Sequence, residues 1–163
     1  MCIKFPSSYE MAKKPTILCV DDQEVNLRVR VLMLQQFGCN TLTAHDHTSS
    51  IRMATENSID LALIDYHLAN GETGEQVAQD MRVLKPRTPL VMLTGDVRLP
   101  DCAIECVDAV LTKGSSSPAE LFEIIQRLVP RRRAAPTQSD VDSNASAKAV
   151  AYLNENLRAE ALV

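Results

Sequence analysis

Four short apolar runs in this chain finish in residues that can handle charge. TILCV (16–20) runs into Asp21-Asp22, DLALIDY (60–66) carries Asp65, TPLVMLTG (88–95) carries Thr94, and DAVLT (108–112) runs into Lys113. Brought together, three carboxylates repel and raise one another's pKa unless a cation sits among them. Hard oxygen ligands with room for water suit Mg²⁺, which takes a few carboxylates together with waters and substrate phosphate. A hydroxyl from Thr94 and an ammonium from Lys113 would then hold the oxygens of a phosphoryl group. One strand-end aspartate says little, because such residues commonly cap the next helix. The set of five, each at the same end of its own run, says much more.

The elements needed to position that set are legible as an alternation. Residues 24–37 carry Val25, Val29, Leu32, Met33 and Phe37 at helical spacing, and Gly38 supplies a stop. NTLTA (40–44) reads as an edge strand, and 48–57 as a short helix with Ile51, Met53 and Ala54 inward. Asn70, Gly71 and Gly74 mark a loop, followed by a helix over Glu75–Leu84 with Val77, Ala78, Met81 and Leu84 inward. A short, poor helix is expected over Asp101–Cys106. Ser117 reads as an N-cap and Pro118 as the first helical residue, with Leu121, Ile124, Ile125 and Leu128 on one face and Pro130 as the end.

Five βα units in a row imply a parallel sheet covered on both faces, since parallel strands need crossovers. The smallest common solution is the flavodoxin-like doubly wound (βα)5 sheet, order 2-1-3-4-5. Ligands bind such sheets beyond the carboxyl ends of the strands where the order reverses, here between strands 1 and 3. Residues 1–14 read as a loose leader, 15–130 as the domain, and 131–163 as a polar tail. A possible amphipathic helix near 146–162 carries Val150, Leu153, Leu157 and Ala161.

A net charge of −4 and a pI near 5.4 argue against non-specific binding to nucleic acid or anionic membranes. No apolar run approaches the roughly 20 residues of a membrane span, and the chain reads as cytoplasmic. The five cysteines form no CxxC pair. Cys102 and Cys106 share a helix face and are expected to pack as small residues on the core. The His45-Asp46-His47 cluster is expected in a solvated loop, not at a metal.

The runs ILCVDDQEVNLR, LALIDYHL, VMLTGD and VLTKG together resemble the receiver domain of two-component response regulators, including receivers attached to hybrid kinases. The resemblance spans about Pro15 to Pro130. It implies that Asp65 takes a phosphoryl group from a histidine kinase or histidine phosphotransferase. It also implies that Asp22, with Asp21 in support, binds Mg²⁺ together with Asp65 and the backbone carbonyl of His67. Thr94 is implied to reorient onto the phosphoryl oxygen, with Lys113 pairing to it. His67 and Asp96, each two positions after a key residue, are implied rate modifiers.

The chain departs from the family pattern at Val110, where an aromatic usually lies three before the lysine, and at Gly114, usually proline. The Thr94–Lys113 interval is short, so the fourth helix should be trimmed. These departures fall on the usual signalling surface of helix 4, strand 5 and helix 5, and leave the phosphorylation chemistry alone. The expectation is a non-enzymatic receiver that switches a surface for an unknown downstream protein, with no separate output domain and no direct DNA binding. The tail, with Arg131–Arg133, is too short for a DNA-reading module. A phosphorelay intermediate or phosphate sink is the first alternative. A Mg²⁺-dependent phosphatase-like enzyme with His67 as acid is the second. A flavodoxin is disfavoured because DDQEVN is acidic, lacks glycine and would repel a flavin phosphate.

Overall fold

The computed structural model describes residues 14–96 and 98–129. The leader up to residue 13, the 131–163 tail with its amphipathic segment, and Pro130 lie outside the described residues. Five parallel strands, β1 (Thr16–Val20), β2 (Asn40–Ala44), β3 (Leu61–Asp65), β4 (Leu90–Thr94) and β5 (Ala109–Thr112), form one sheet in the order β2-β1-β3-β4-β5. The helices are α1 (Glu24–Gln36), α2 (His47–Glu56), α3 (Gly74–Leu84), α4 (Asp101–Glu105) and α5 (Pro118–Leu128). This is the expected doubly wound order.

Successive strand residues point to opposite faces, so buried strands on both sides read as unbroken apolar runs. Leu18, Val20, Ala62, Ile64 and Met92 face the layer of α2 and α3. Ile17, Cys19, Leu63, Val91 and Leu93 face α1 and α5. The register pairs Val20 with Ile64, Ile64 with Met92 and Thr94 with Thr112. The next residues out, Asp21 and Asp65, therefore emerge side by side. At α5, the Ser117 side chain accepts from Glu120 N–H and Pro118 opens the helix, as its cap signature predicts. Gly38 closes α1 with φ +78°, a conformation open to glycine at little cost.

Three expectations need correction. First, α1 does not bury the stripe the spacing favours. Val25, Val29 and Leu32 are 71%, 59% and 63% exposed, while Leu27, Arg30 and Leu34 are buried. The helix carries apolar residues on every side, so periodicity leaves its rotation undetermined. Contacts of Asn26 and Arg30 with Asp21 select the inward face. Second, Gly74 is the first residue of α3, not part of the loop. Third, Cys106 packs against the core but Cys102 is exposed, because α4 has only five residues and turns one of the pair outward. That short α4 is the trimmed helix anticipated from the sequence.

Candidate functional site

Three carboxylates meet at the carboxyl end of the sheet. Asp21 leaves β1, Asp22 follows it, and Asp65 ends β3; one oxygen from each lies within 4.8 Å of the others. Asp21 and Asp65 are buried and Asp22 is half-buried, so the cluster opens to solvent on the Asp22 side. Among the described residues, no other group of three possible metal ligands converges in this way. His45 and His47 turn instead to Glu24 and Asp80, and Asp46 caps α2 through Ser49.

Lys113, just past β5, contacts Asp65 Oδ2 directly and stands 3.6 Å from Asp21 Oδ2. Its backbone N–H donates to the Thr94 carbonyl at 2.6 Å, which seats the lysine at the sheet end. Asp65 Oδ1 is buried with no hydrogen-bond partner. A buried acceptor without a donor is costly and is rare in folded proteins. An oxygen so placed, beside two more carboxylates, fits a hard divalent cation. Burial pushes the Asp65 carboxyl above its ordinary range, the neighbouring Asp21 charge adds to this, and Lys113 opposes both. Burial acts on Asp21 in the same direction, but there the Gln23 N–H, the Arg30 guanidinium and the Asn26 amide outweigh it and hold that carboxyl low.

Thr94 is buried, and its Oγ1 accepts from the Asp96 N–H at 2.9 Å, a partner outside the carboxylate cluster. His67 Nε2 and Asp96 Oδ2 lie 2.6 Å apart, an exposed ion-pair geometry that joins the loops after β3 and β4. Asp21, Asp22, Asp65 and Lys113 are thus brought together. Thr94 lies at the neighbouring strand end with its hydroxyl engaged elsewhere, and His67 and Asp96 are tied to each other.

Three contributors were not anticipated. Asn26 donates to both Asp21 oxygens, at 3.1 and 3.2 Å, and Arg30 Nη1 lies 2.7 Å from Asp21 Oδ2. Their signal was present: residues 26 and 30 stand four apart, one helical turn, behind an acidic strand end. Gly74 is the third. A Cβ there would stand 2.2 Å from the Asp65 carbonyl oxygen, so α3 can approach the β3 exit only with glycine at its first position. Only folding reveals that approach.

Residues 17–126 match the response regulator receiver domain. The chain belongs to that family. Members act as phosphorylation-dependent signalling switches, and the chain has the fold and acidic pocket of one. Over 84 residues, 52% of its length, it is 33% identical to the autoinducer 1 sensor kinase/phosphatase LuxN of Vibrio harveyi. The matched stretch is 10% of that protein, so the receiver spans a small part of this curated relative. A CheY-like receiver domain protein from Methanospirillum hungatei shares the fold with a TM-score of 0.67 at 23% identity, covering 72% of this chain and 94% of that one. The receiver domain of sensor histidine kinase PA1611 from Pseudomonas aeruginosa superposes with a TM-score of 0.65 at 26% identity, covering 72% and 98%. That domain holds a magnesium ion coordinated in its active-site cleft. No helix among the described residues of the present receiver is long and apolar enough to cross a membrane.

Proposed function

We propose that Asp65 is the phosphoacceptor of a receiver domain comprising about residues 15–130, supplied by a sensor histidine kinase or a histidine phosphotransferase in the cytoplasm. The observation that carries this is the buried Asp65 carboxylate, engaged by Lys113 through one oxygen and free of hydrogen bonds at the other. In the transfer, an Asp65 oxygen attacks phosphorus in line; the new O–P bond forms as the histidine N–P bond breaks, and the imidazole leaves with a proton. Lys113 keeps the acceptor ionised and neutralises charge on the phosphoryl oxygens. Asp21, Asp22, Asp65 and the His67 carbonyl would hold Mg²⁺, which supplies further charge neutralisation. Thr94 is released from the Asp96 N–H and turns its hydroxyl to the phosphoryl group. His67 and Asp96 border the mouth and set how readily water reaches the acyl phosphate.

The exposed Val25, Val29 and Leu32 stripe begins beside the cluster and is where we place the docked donor; burying it against a partner helix restores what folding left wet. Output then passes to a downstream protein by a population shift between two surface states. Acetyl phosphate with Mg²⁺ should modify the wild type and leave Asp65→Asn unmodified by intact mass. A labelled Asp65→Asn chain rejects the assignment. Val29→Glu should slow transfer from a kinase and leave acetyl phosphate labelling intact. No small phosphate ester should be turned over.

One observation favours a phosphorelay role as the second reading. β5 presents Val110, half-exposed, where an aromatic would couple Thr94 to a signalling face. A relay needs transfer without that coupling, and it would show rapid return of the phosphoryl group to a phosphotransferase.

A further inference from the structure

We infer that Arg30 is a positioning residue that weakens the divalent-ion site, by holding Asp21 and cancelling part of the cluster's charge. This rests on the proposed acceptor site and adds a regulator to it.

Arg30 sits on the inward face of α1 between Leu27 and Leu34, only 9% exposed. A buried guanidinium requires an opposite charge, and a hydrophobic residue would fill the same layer without that demand. The charge it has is Asp21 Oδ2, 2.7 Å from Nη1. Nη1 makes this approach as an ion pair without hydrogen-bond alignment. The contact is therefore electrostatic first, and Nη1 remains open to a better acceptor.

Asp21 is the most heavily engaged carboxylate in the cluster. Its Oδ1 accepts from the Gln23 N–H at 2.9 Å and from Asn26 at 3.1 Å. Its Oδ2 faces Arg30, Asn26 at 3.2 Å and Lys113 at 3.6 Å. Neither oxygen is free for a new ligand without loss of an existing partner. Asp65 Oδ1, by contrast, has no hydrogen-bond partner, and Asp22 is half open to solvent. A divalent ion thus meets open oxygens on Asp22 and Asp65, and Asp21 joins them only by giving up an existing partner, Arg30 among them.

Charge counting gives the same direction. The three carboxylates of Asp21, Asp22 and Asp65 with the Lys113 ammonium carry a net charge of −2, and Arg30 brings it to −1. Attraction for a +2 ion scales with that total and is strong at these separations in a partly buried site. Arg30 therefore moves Mg²⁺ occupancy, and with it phosphorylation, to higher ion concentrations. It also keeps the ion-free cluster from repelling itself apart.

The test is Mg²⁺ titration calorimetry on the full chain. Arg30→Met keeps the aliphatic stem and removes the charge; it should bind Mg²⁺ about tenfold more tightly than wild type. Arg30→Lys keeps the charge and should stay within about threefold of wild type. Saturating Mg²⁺ should raise the melting temperature of Arg30→Met by more than that of wild type. If Arg30→Met does not fold, the same comparison is read on Arg30→Gln. A folded, neutral variant whose Mg²⁺ affinity equals or falls below that of wild type overturns the inference. So does an Arg30→Lys chain that binds as tightly as the neutral variants. Wild type that binds Mg²⁺ and is labelled at Asp65, with no gain in the variants, sinks this inference alone. Wild type with neither property sinks the acceptor assignment as well.

Discussion

Carboxylates stand at both ends of the sheet, and their surroundings differ. At the amino ends, Asp60 Oδ2 accepts the Thr16 N–H at 2.8 Å. Asp108 Oδ2 accepts the Leu90 N–H and the Arg82 Nη2, each at 2.8 Å. Strand starts offer unpaired N–H groups, so an acid there is satisfied by the backbone and ties one strand to the next. At the carboxyl ends, Asp21 is engaged by the Gln23 N–H just before α1 and by Asn26 and Arg30 on it, while Asp65 has only the Lys113 ammonium. The first arrangement holds the sheet together. The second stores charge that a cation or a phosphoryl group can use, and folding there works against electrostatic repulsion.

The largest expected effect tests how closely α3 must approach Asp65. Gly74→Ala places a methyl 2.2 Å from the Asp65 carbonyl oxygen and 2.9 Å from its carbon, backbone atoms that cannot step aside cheaply. It should cost about 1–3 kcal/mol in urea denaturation, as overpacking does, and reduce acetyl phosphate labelling. An unchanged midpoint would mean that α3 has room to move.

Asp65→Asn should act with the opposite sign. The folded-state Asp65 carboxyl is the weaker acid, so the folded chain loses stability as pH rises from the unfolded carboxylate range through the folded value. The asparagine variant should melt higher than wild type at pH 7, and the two should converge in acid, where the wild-type Asp65 carboxyl is protonated and neutral like the amide. Wild type melting above the variant at pH 7 would refute the view of Asp65 as a strained charge.

Asp108→Ala probes the amino end and should destabilise by about 1 kcal/mol, while leaving Mg²⁺ binding and labelling intact. Burial raises the Asp108 carboxyl, but Arg82 and the Leu90 N–H outweigh this and hold it low. Its contribution is therefore present above the ordinary carboxylate range and is lost as pH falls through the folded value. Loss of labelling in this variant would break the division between the two ends. The smallest effect on stability is expected from His67→Ala, below about 0.5 kcal/mol, because the pair with Asp96 is exposed. The lifetime of the phosphoryl group should nevertheless change several-fold, read by decay of the labelled species.

The strand ends were legible because apolar runs that stop at acids or lysine mark where buried backbone meets solvent. The α5 start was legible for a similarly local reason, Ser117 followed by Pro118. The rotation of α1 was not, since Val25, Leu27, Val29, Val31, Leu32, Met33 and Leu34 leave no polar side to exclude. What turns the helix is Asp21, a residue outside it, reached by Asn26 and Arg30. Cys102 was misjudged for want of knowing how little of α4 would form. Gly74 resembled an ordinary loop glycine, since nothing local to residues 70–76 reports where the Asp65 carbonyl will lie.

The tight seating of Gly74 makes α3 a strut. Eight residues further along, about 12 Å at the usual helical rise, Arg82 grips Asp108 and the carbonyls of Cys106 and Thr88. A displacement of the β3 exit therefore cannot be absorbed locally; the rigid helix carries it to the far rim of the sheet. Amide exchange at Leu90, whose N–H ends on Asp108, should change when Asp65 is modified and stay constant if the strut is slack.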